Sequence, residues 1–135
     1  MNPESKISFA DFQKVEITVG KILSAGKVPE TNKLLRLLVH FGQKMPPTTT
    51  LQENTQTPNT NNKTEDIRQI ISGIAMHFPD PEVLVGKKCM FVTNIEPRTI
   101  KDLESNGMLF AVSTEDGKFS LLEPSADMPE GTRAR

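Results

Sequence analysis

From Leu35 to Phe41 the chain alternates. Leu35, Leu37, Val39 and Phe41 fall on one face; Arg36, Leu38 and His40 fall on the other. A period of two belongs to a strand with one buried face. Val15, Ile17 and Val19, with Glu16 and Thr18 between them, repeat the pattern. At Gly20 the phase shifts, so a bulge or bend is expected there, letting a long strand curl around a barrel. Short apolar runs recur at Arg68–Ala75, Cys89–Ile95, Met108–Ser113 and Phe119–Leu122. In the first of these, Ser72-Gly73 interrupts Ile70, Ile71 and Ile74; a glycine there marks a bulge or a close backbone approach. Arg68 stands at its entrance. Its guanidinium can fork onto a phosphate, although a solvated Arg at the end of a core strand is the plainer reading.

The connections agree with a small all-β domain. Glu115-Asp116-Gly117 carries a hairpin signal. Glu96–Gly107 reads as a long polar loop, and Phe119–Leu122 is expected to close the sheet. Ser8 sits three residues before Asp11, close to a capping-box spacing, so Ser8–Phe12 is expected to form a short helical turn. Ile7, Phe9 and Phe12 would plug the barrel end, with a subunit contact as the other reading. Pro81 and Glu82 suit the start of a second short helix, which Gly86 can end. Five or more short strands between Gly and Pro turns indicate a five-stranded barrel, with a short helix and extra C-terminal strands and turns.

The stretch 43–66 differs in kind. It is rich in Thr, Asn and Pro and holds almost no apolar residue but Leu51. Such a segment buries too little surface to offset its ordering entropy. It reads as a flexible loop inserted between two strands of a single domain over residues 1–135, with a regulatory or partner-binding role left open.

The 135 residues carry a formal charge of −1, so nothing global marks a nucleic-acid binder; any RNA contact must use a local patch. The single cysteine, Cys89, precludes an internal disulfide and fits a reducing compartment. Met1–Lys6 has no apolar leader region, and no apolar run is long enough for a bilayer. A cytoplasmic, membrane-free location is the expectation. No catalytic set is evident. The two histidines have no partner at a useful spacing, the cysteine lies in an apolar strand, and no zinc spacing or glycine-rich phosphate loop occurs. A binding module without cofactor or metal is the better reading than an enzyme. With no Trp or Tyr, and with Phe41, Phe91, Phe110 and Phe119 in phase with core residues or inside apolar runs, few rings remain for base stacking. A partner read by backbone charge and shape suits these residues better.

Five blocks, in order, resemble the tRNA-binding domain family: Asp11–Ile22, Asn32-Lys33-Leu34, Arg68–Ala75, Asn94–Arg98 and Glu104–Leu109. The family includes the C-terminal domain of bacterial methionyl-tRNA synthetase, free-standing structure-specific tRNA-binding proteins and the C-terminal domain of eukaryotic synthetase cofactors. The resemblance implies an OB-fold, usually a homodimer, that holds the outside corner of folded tRNA. By matching position it implies RNA contacts from Lys33, Arg68, Ser72, Asn94, Arg98, Ser105 and Met108. The cations would meet phosphates, the polar groups sugar or backbone, and Met108 a base or ribose. Turn-capping roles for Asn94 and Ser105, and a core role for Met108, stay open.

This chain departs from the family pattern at Glu30, which adds a negative charge beside the RNA face, and at Asp102, where a glycine is common. Aspartate tolerates a left-handed backbone better than most residues. The resemblance further implies assistance to, or membership of, methionyl-tRNA synthetase. Met1 and the short length favour a free-standing protein. The rival is a dimeric, secretion-associated, peptide-binding chaperone of the same fold.

Overall fold

The computed structural model describes residues 6–43 and 65–134. Most of the 43–66 stretch therefore lies outside the described residues. Its edges do not: Gln43, Glu65 and Asp66 belong to strands. The order is α1 (Phe9–Phe12), β1 (Ile17–Lys27), β2 (Leu35–Gln43), β3 (Glu65–Ser72), two 3-10 turns over 75–77 and 81–84, β4 (Lys88–Val92), β5 (Arg98–Ile100), β6 (Leu103–Ser105), β7 (Met108–Leu109), β8 (Ala111–Ser113) and β9 (Phe119–Leu121). The chain has an all-β, OB-like fold. Its main sheet is antiparallel throughout, with strand order β3-β2-β1-β4-β7, and it curls around one core.

The alternation read in the sequence is the alternation of burial. Leu35, Leu37, Val39 and Phe41 are all buried, as are Ile22, Ile70, Leu84, Cys89 and Phe91. The Phe41 and Phe91 rings meet edge to face at 5.3 Å, a favoured aromatic geometry. Ile70, Ile71 and Ile74 are buried as well.

Gly20 is not the bulge. The register of β1 against β2 shifts between Ile22 and Ser24, which makes Leu23 the extra residue. Gly20 is needed for space: a Cβ there would lie 2.6 Å from side-chain atoms of Phe41 and Val39. The chain can therefore stay extended at 20 while β1 crosses the core, and it bends three residues later. Gly73 likewise makes no close approach, its nearest neighbour to a Cβ being the Lys33 carbonyl oxygen at 3.9 Å; it follows the end of β3.

Four other expectations need correction. The α1 cap is as read, with Ser8 Oγ accepting from the Asp11 amide at 3.0 Å. The helix does not plug the barrel, however: Ile7, Phe9 and Phe12 are 65%, 69% and 41% exposed. A four-residue helix with no buried residue has too little reach to turn its rings onto a core that the strands have filled. Residues 96–107 are not simply a loop, because β5 and β6 pair there as a hairpin. Its turn residues, Lys101 and Asp102, have φ of 52° and 66°, a pairing of positive angles that suits tight hairpins; no glycine announced it. The run from Met108 to Ser113 is split at Phe110 into β7 and β8, and Phe110 N–H donates to Met90 O instead. Finally, β9 pairs with β8 in a separate two-stranded sheet and does not close the main one.

The C-terminal tail fills the side of β1 that β2 leaves open. Gly131 and Ala134 N–H donate to Val19 and Ile17 carbonyls, and Val19 N–H donates to Thr132 O. This path brings the backbone of Gly131, at φ 93°, against the Phe41 carbonyl, where a Cβ would sit at 2.8 Å. Replacing Gly20 with alanine should overpack the core and lower unfolding stability by about 1–3 kcal/mol. Denaturant melts of the variant against wild type check this, and an unchanged or raised midpoint would contradict it.

Candidate nucleic-acid interface

The outer row of the sheet is set by pairing. Arg36 opposes Ile71, Leu38 opposes Gln69 and His40 opposes Ile67. Core side chains occupy the alternate positions, so these residues face away from the barrel interior. Arg36 is exposed, and its Nε donates to Gln69 Oε1 at 2.6 Å. The turn over 28–34 flanks one end of this row and carries the exposed Lys33. Glu30 in the same turn is held at φ 69°, a left-handed conformation that asparagine adopts more readily.

The β5–β6 hairpin lies along the free edge of β3. Asn106 N–H donates to Gln69 O at 2.9 Å. Gln69 Nε2 donates to Glu104 O at 2.9 Å. Ser105, 4% exposed, accepts from Ile71 N–H at 3.0 Å and donates to Gly107 O at 3.2 Å. Arg98 opposes Ser105 in the hairpin. Arg36, Ile71, Ser105 and Arg98 thus occupy neighbouring strands in series.

The seven residues named from the resemblance divide into three groups. Lys33, Arg98 and Met108 are exposed, Met108 at 39%. Ser72 is half-buried at the end of β3. Arg68, Asn94 and Ser105 are engaged within the fold. Asn94 Oδ1 accepts from Glu16 N–H at 2.8 Å, and its Nδ2 donates to Lys14 O at 2.5 Å. Both ends of that amide tie the approach to β1 to the exit of β4. Arg68 lies on the inner row, opposite Val39. Its guanidinium forks onto Asp66, with Nε–Oδ1 at 3.0 Å and Nη2–Oδ2 at 3.1 Å, and it sits 5.2 Å from the Phe41 ring centroid.

Sequence reasoning missed Arg36, although the alternation already places it on the outer row. It also missed a cleft of about 450 Å³ lined by Asp66, Ile67, Arg68, Gln69, Ile95, Pro97 and Asn106. Ile67 and Ile95 are 46% and 38% exposed. No local signal marks that cleft, because the 93–107 segment builds one wall from 25 or more positions away in sequence.

Cys89 is fully buried, and desolvation pushes its thiol up to about 12. It is an inert core thiol at neutral pH. Among the described residues, no group of three or more His, Cys, Asp or Glu side chains is placed to hold a metal. No described helix is long and apolar enough to cross a membrane.

An OB-like barrel that offers its second and third strands, flanked by two turns, is a fold that recurs in oligonucleotide binders. The family model described as "Putative tRNA binding domain" matches residues 58–133, more than half of the chain. The chain belongs to the tRNA-binding domain family. The methionine–tRNA ligase of Methanospirillum hungatei is 40% identical over 130 residues, covering 96% of this chain and 16% of the ligase. That of Enterococcus faecalis is 33% identical over 128 residues, covering 95% of this chain and 16% of the ligase. This tRNA-binding domain therefore spans about one sixth of the length of these curated relatives. A methionyl-tRNA-synthetase-related protein from Pyrococcus horikoshii superimposes with a TM-score of 0.75 at 33% identity, covering 97% of this chain and 99% of that one. The chaperone CsaA from Bacillus anthracis superimposes at 0.71 with 21% identity, covering 97% of this chain and all of that one; at that identity the likeness is one of fold.

The buried Ser105 hydroxyl makes a direct prediction. Ser105→Ala leaves the Ile71 amide and the Gly107 carbonyl without this partner and should cost about 1–3 kcal/mol of stability. Thermal or chemical melts check it, and a variant as stable as wild type would contradict this closure of the β3 edge.

Proposed function

We propose that this chain is a non-catalytic module that binds folded tRNA by shape and backbone charge, assisting or forming part of a methionyl-tRNA synthetase. The observation that carries this reading is the exposed cation set, Lys33, Arg36 and Arg98, on and beside the outer row of a tRNA-binding-family barrel. Cations spaced across a strand face can meet successive phosphates, and such contacts fix position with little sequence preference. Ile67, Ile95 and Met108 give the same region apolar surface on which a ribose or an unstacked base can pack. Held near a synthetase active site in the reducing cytoplasm, the module raises the local tRNA concentration without chemistry of its own. The rival peptide-chaperone reading rests on a likeness of fold.

The test is a salt titration of binding to folded bulk tRNA, with unstructured RNA of equal length as competitor. Folded tRNA should win. Lys33→Ala, Arg36→Ala and Arg98→Ala should each weaken binding and reduce the log–log salt slope by about 0.7–0.9, the value of one lost phosphate contact. Glu30→Asn should act with the opposite sign and tighten binding. Equal binding of both RNAs, or slopes that none of the three substitutions changes, would overturn the reading.

We also propose that two copies pair through α1. Ile7, Phe9, Phe12 and Val15 are exposed together. A groove of about 290 Å³ runs between α1 and the C-terminal tail at Arg133 and Ala134. Contiguous apolar surface rimmed by polar groups is characteristic of an interface. Light scattering after size exclusion should show a dimer for wild type and a monomer for Phe9→Asp. A monomeric wild type, or a Phe9→Asp dimer of undiminished stability, would remove this face from the assembly.

A further inference from the structure

Arg68 is the residue whose surroundings contradict its apparent role most clearly. A phosphate-binding arginine needs free donors that point outward. A guanidinium has five N–H groups, and four of them are used within the fold. Nε and Nη2 hold Asp66. Nη1 donates to the Thr93 carbonyl at 2.7 Å and to the Asn106 carbonyl at 3.4 Å. The Arg68 and Asp66 side chains are only 29% and 16% exposed, and the Phe41 ring lies alongside the guanidinium.

The two carbonyls belong to the segments that flank the cleft walled by Ile67, Ile95, Pro97 and Asn106. One follows β4 directly and precedes Asn94. The other joins β6 to β7 and precedes Met108 by two residues. One side chain on β3 therefore braces two turns between the Val92–Met108 and Arg98–Ser105 pairs that join them at either end. Asp66 fixes the fork, because a bidentate carboxylate defines the plane of the guanidinium.

We infer that the Arg68–Asp66 pair is a positioning clamp: it holds the 93–97 and 105–108 segments at the spacing that binds RNA, and it makes no phosphate contact itself. This rests on the RNA-binding reading above and deepens it. The clamp also predicts the opposite sign of effect from a direct phosphate contact. Asp66→Asn removes a negative charge beside the RNA face and releases Arg68. A phosphate contact would then strengthen; a clamp fails.

The experiment combines the tRNA salt titration with amide hydrogen exchange of the free protein, on wild type, Asp66→Asn, Arg68→Lys and Arg68→Ala. Asp66→Asn should weaken tRNA binding roughly tenfold, the scale of one lost charge-assisted hydrogen-bonded pair. Arg68→Ala should weaken it without flattening the salt slope. Arg68→Lys should not rescue, since a lysine keeps the charge but not the fork. Exchange should quicken at the Asn106 amide, which donates to Gln69 O, and at the Thr93 amide, which donates to Glu16 O, while the β1–β2 core amides keep their protection. A merely structural defect would quicken exchange everywhere in proportion to lost stability. Tighter binding by Asp66→Asn, rescue by Arg68→Lys, or a slope lowered by about 0.7–0.9 in Arg68→Ala would overturn the clamp. Failure of wild type to prefer folded tRNA would sink the functional reading alone, and the exchange data would still decide the clamp. Should Arg68→Ala not fold, the near-isosteric Asp66→Asn and the charge-retaining Arg68→Lys decide it.

Discussion

A curled sheet must satisfy the backbone groups along its two edges, and the rest of this molecule depends on how that is done. The edge of β3 presents the Gln69 carbonyl and the Ile71 amide, and no full strand pairs there. The Asn106 amide meets the first and the Ser105 hydroxyl meets the second. Buried backbone groups left unpaired are costly, so the 104–107 segment is drawn against β3. That pulls the β5–β6 hairpin across the barrel and, with it, Arg98. The same closure brings Asn106 within reach of Arg68. Stability and the geometry of the candidate site thus share one set of hydrogen bonds.

The shared dependence explains why three of the residues inferred from family resemblance are hydrogen-bonded to other segments of the fold. Arg68, Asn94 and Ser105 each bridge segments distant in sequence: Arg68 to Thr93 and Asn106, Asn94 to Lys14 and Glu16, Ser105 to Ile71. Residues of this kind are needed wherever the surface is needed, because they hold it in place. A chain that binds RNA through Lys33, Arg36 and Arg98 requires them as much as it requires the cations.

The core was legible in the sequence because burial in an antiparallel sheet imposes a period of two. Leu35, Leu37, Val39 and Phe41 show it directly, and Arg36 falls out of the same pattern as an outward residue. The misread features are those decided by contacts between distant segments. Nothing near Gly20 in sequence says that Phe41 and Val39 will fill the space beside it, or that the bulge will fall at Leu23. The β5–β6 hairpin turns on Lys101 and Asp102; Asp102 suits a left-handed backbone, but Lys101 gives no such signal. Phe9 and Phe12 carry the same apolar signal whether a helix faces a core or a partner, so periodicity could not assign α1. Likewise an arginine at a strand entrance reads the same whether its fork meets a phosphate or Asp66.

The central claim is that RNA lies on the β2–β3 face between the 28–34 turn and the 93–107 segment. Backbone amide chemical shifts of the full chain, followed by NMR as folded tRNA is added, test it most directly. The account predicts shifts at Lys33, Arg36, Gln69, Ile95, Arg98 and Met108, with α1 and the β8–β9 hairpin unmoved. Shifts centred on Phe9 and Phe12, or on Val112 and Phe119, with the β2–β3 face silent, would contradict it.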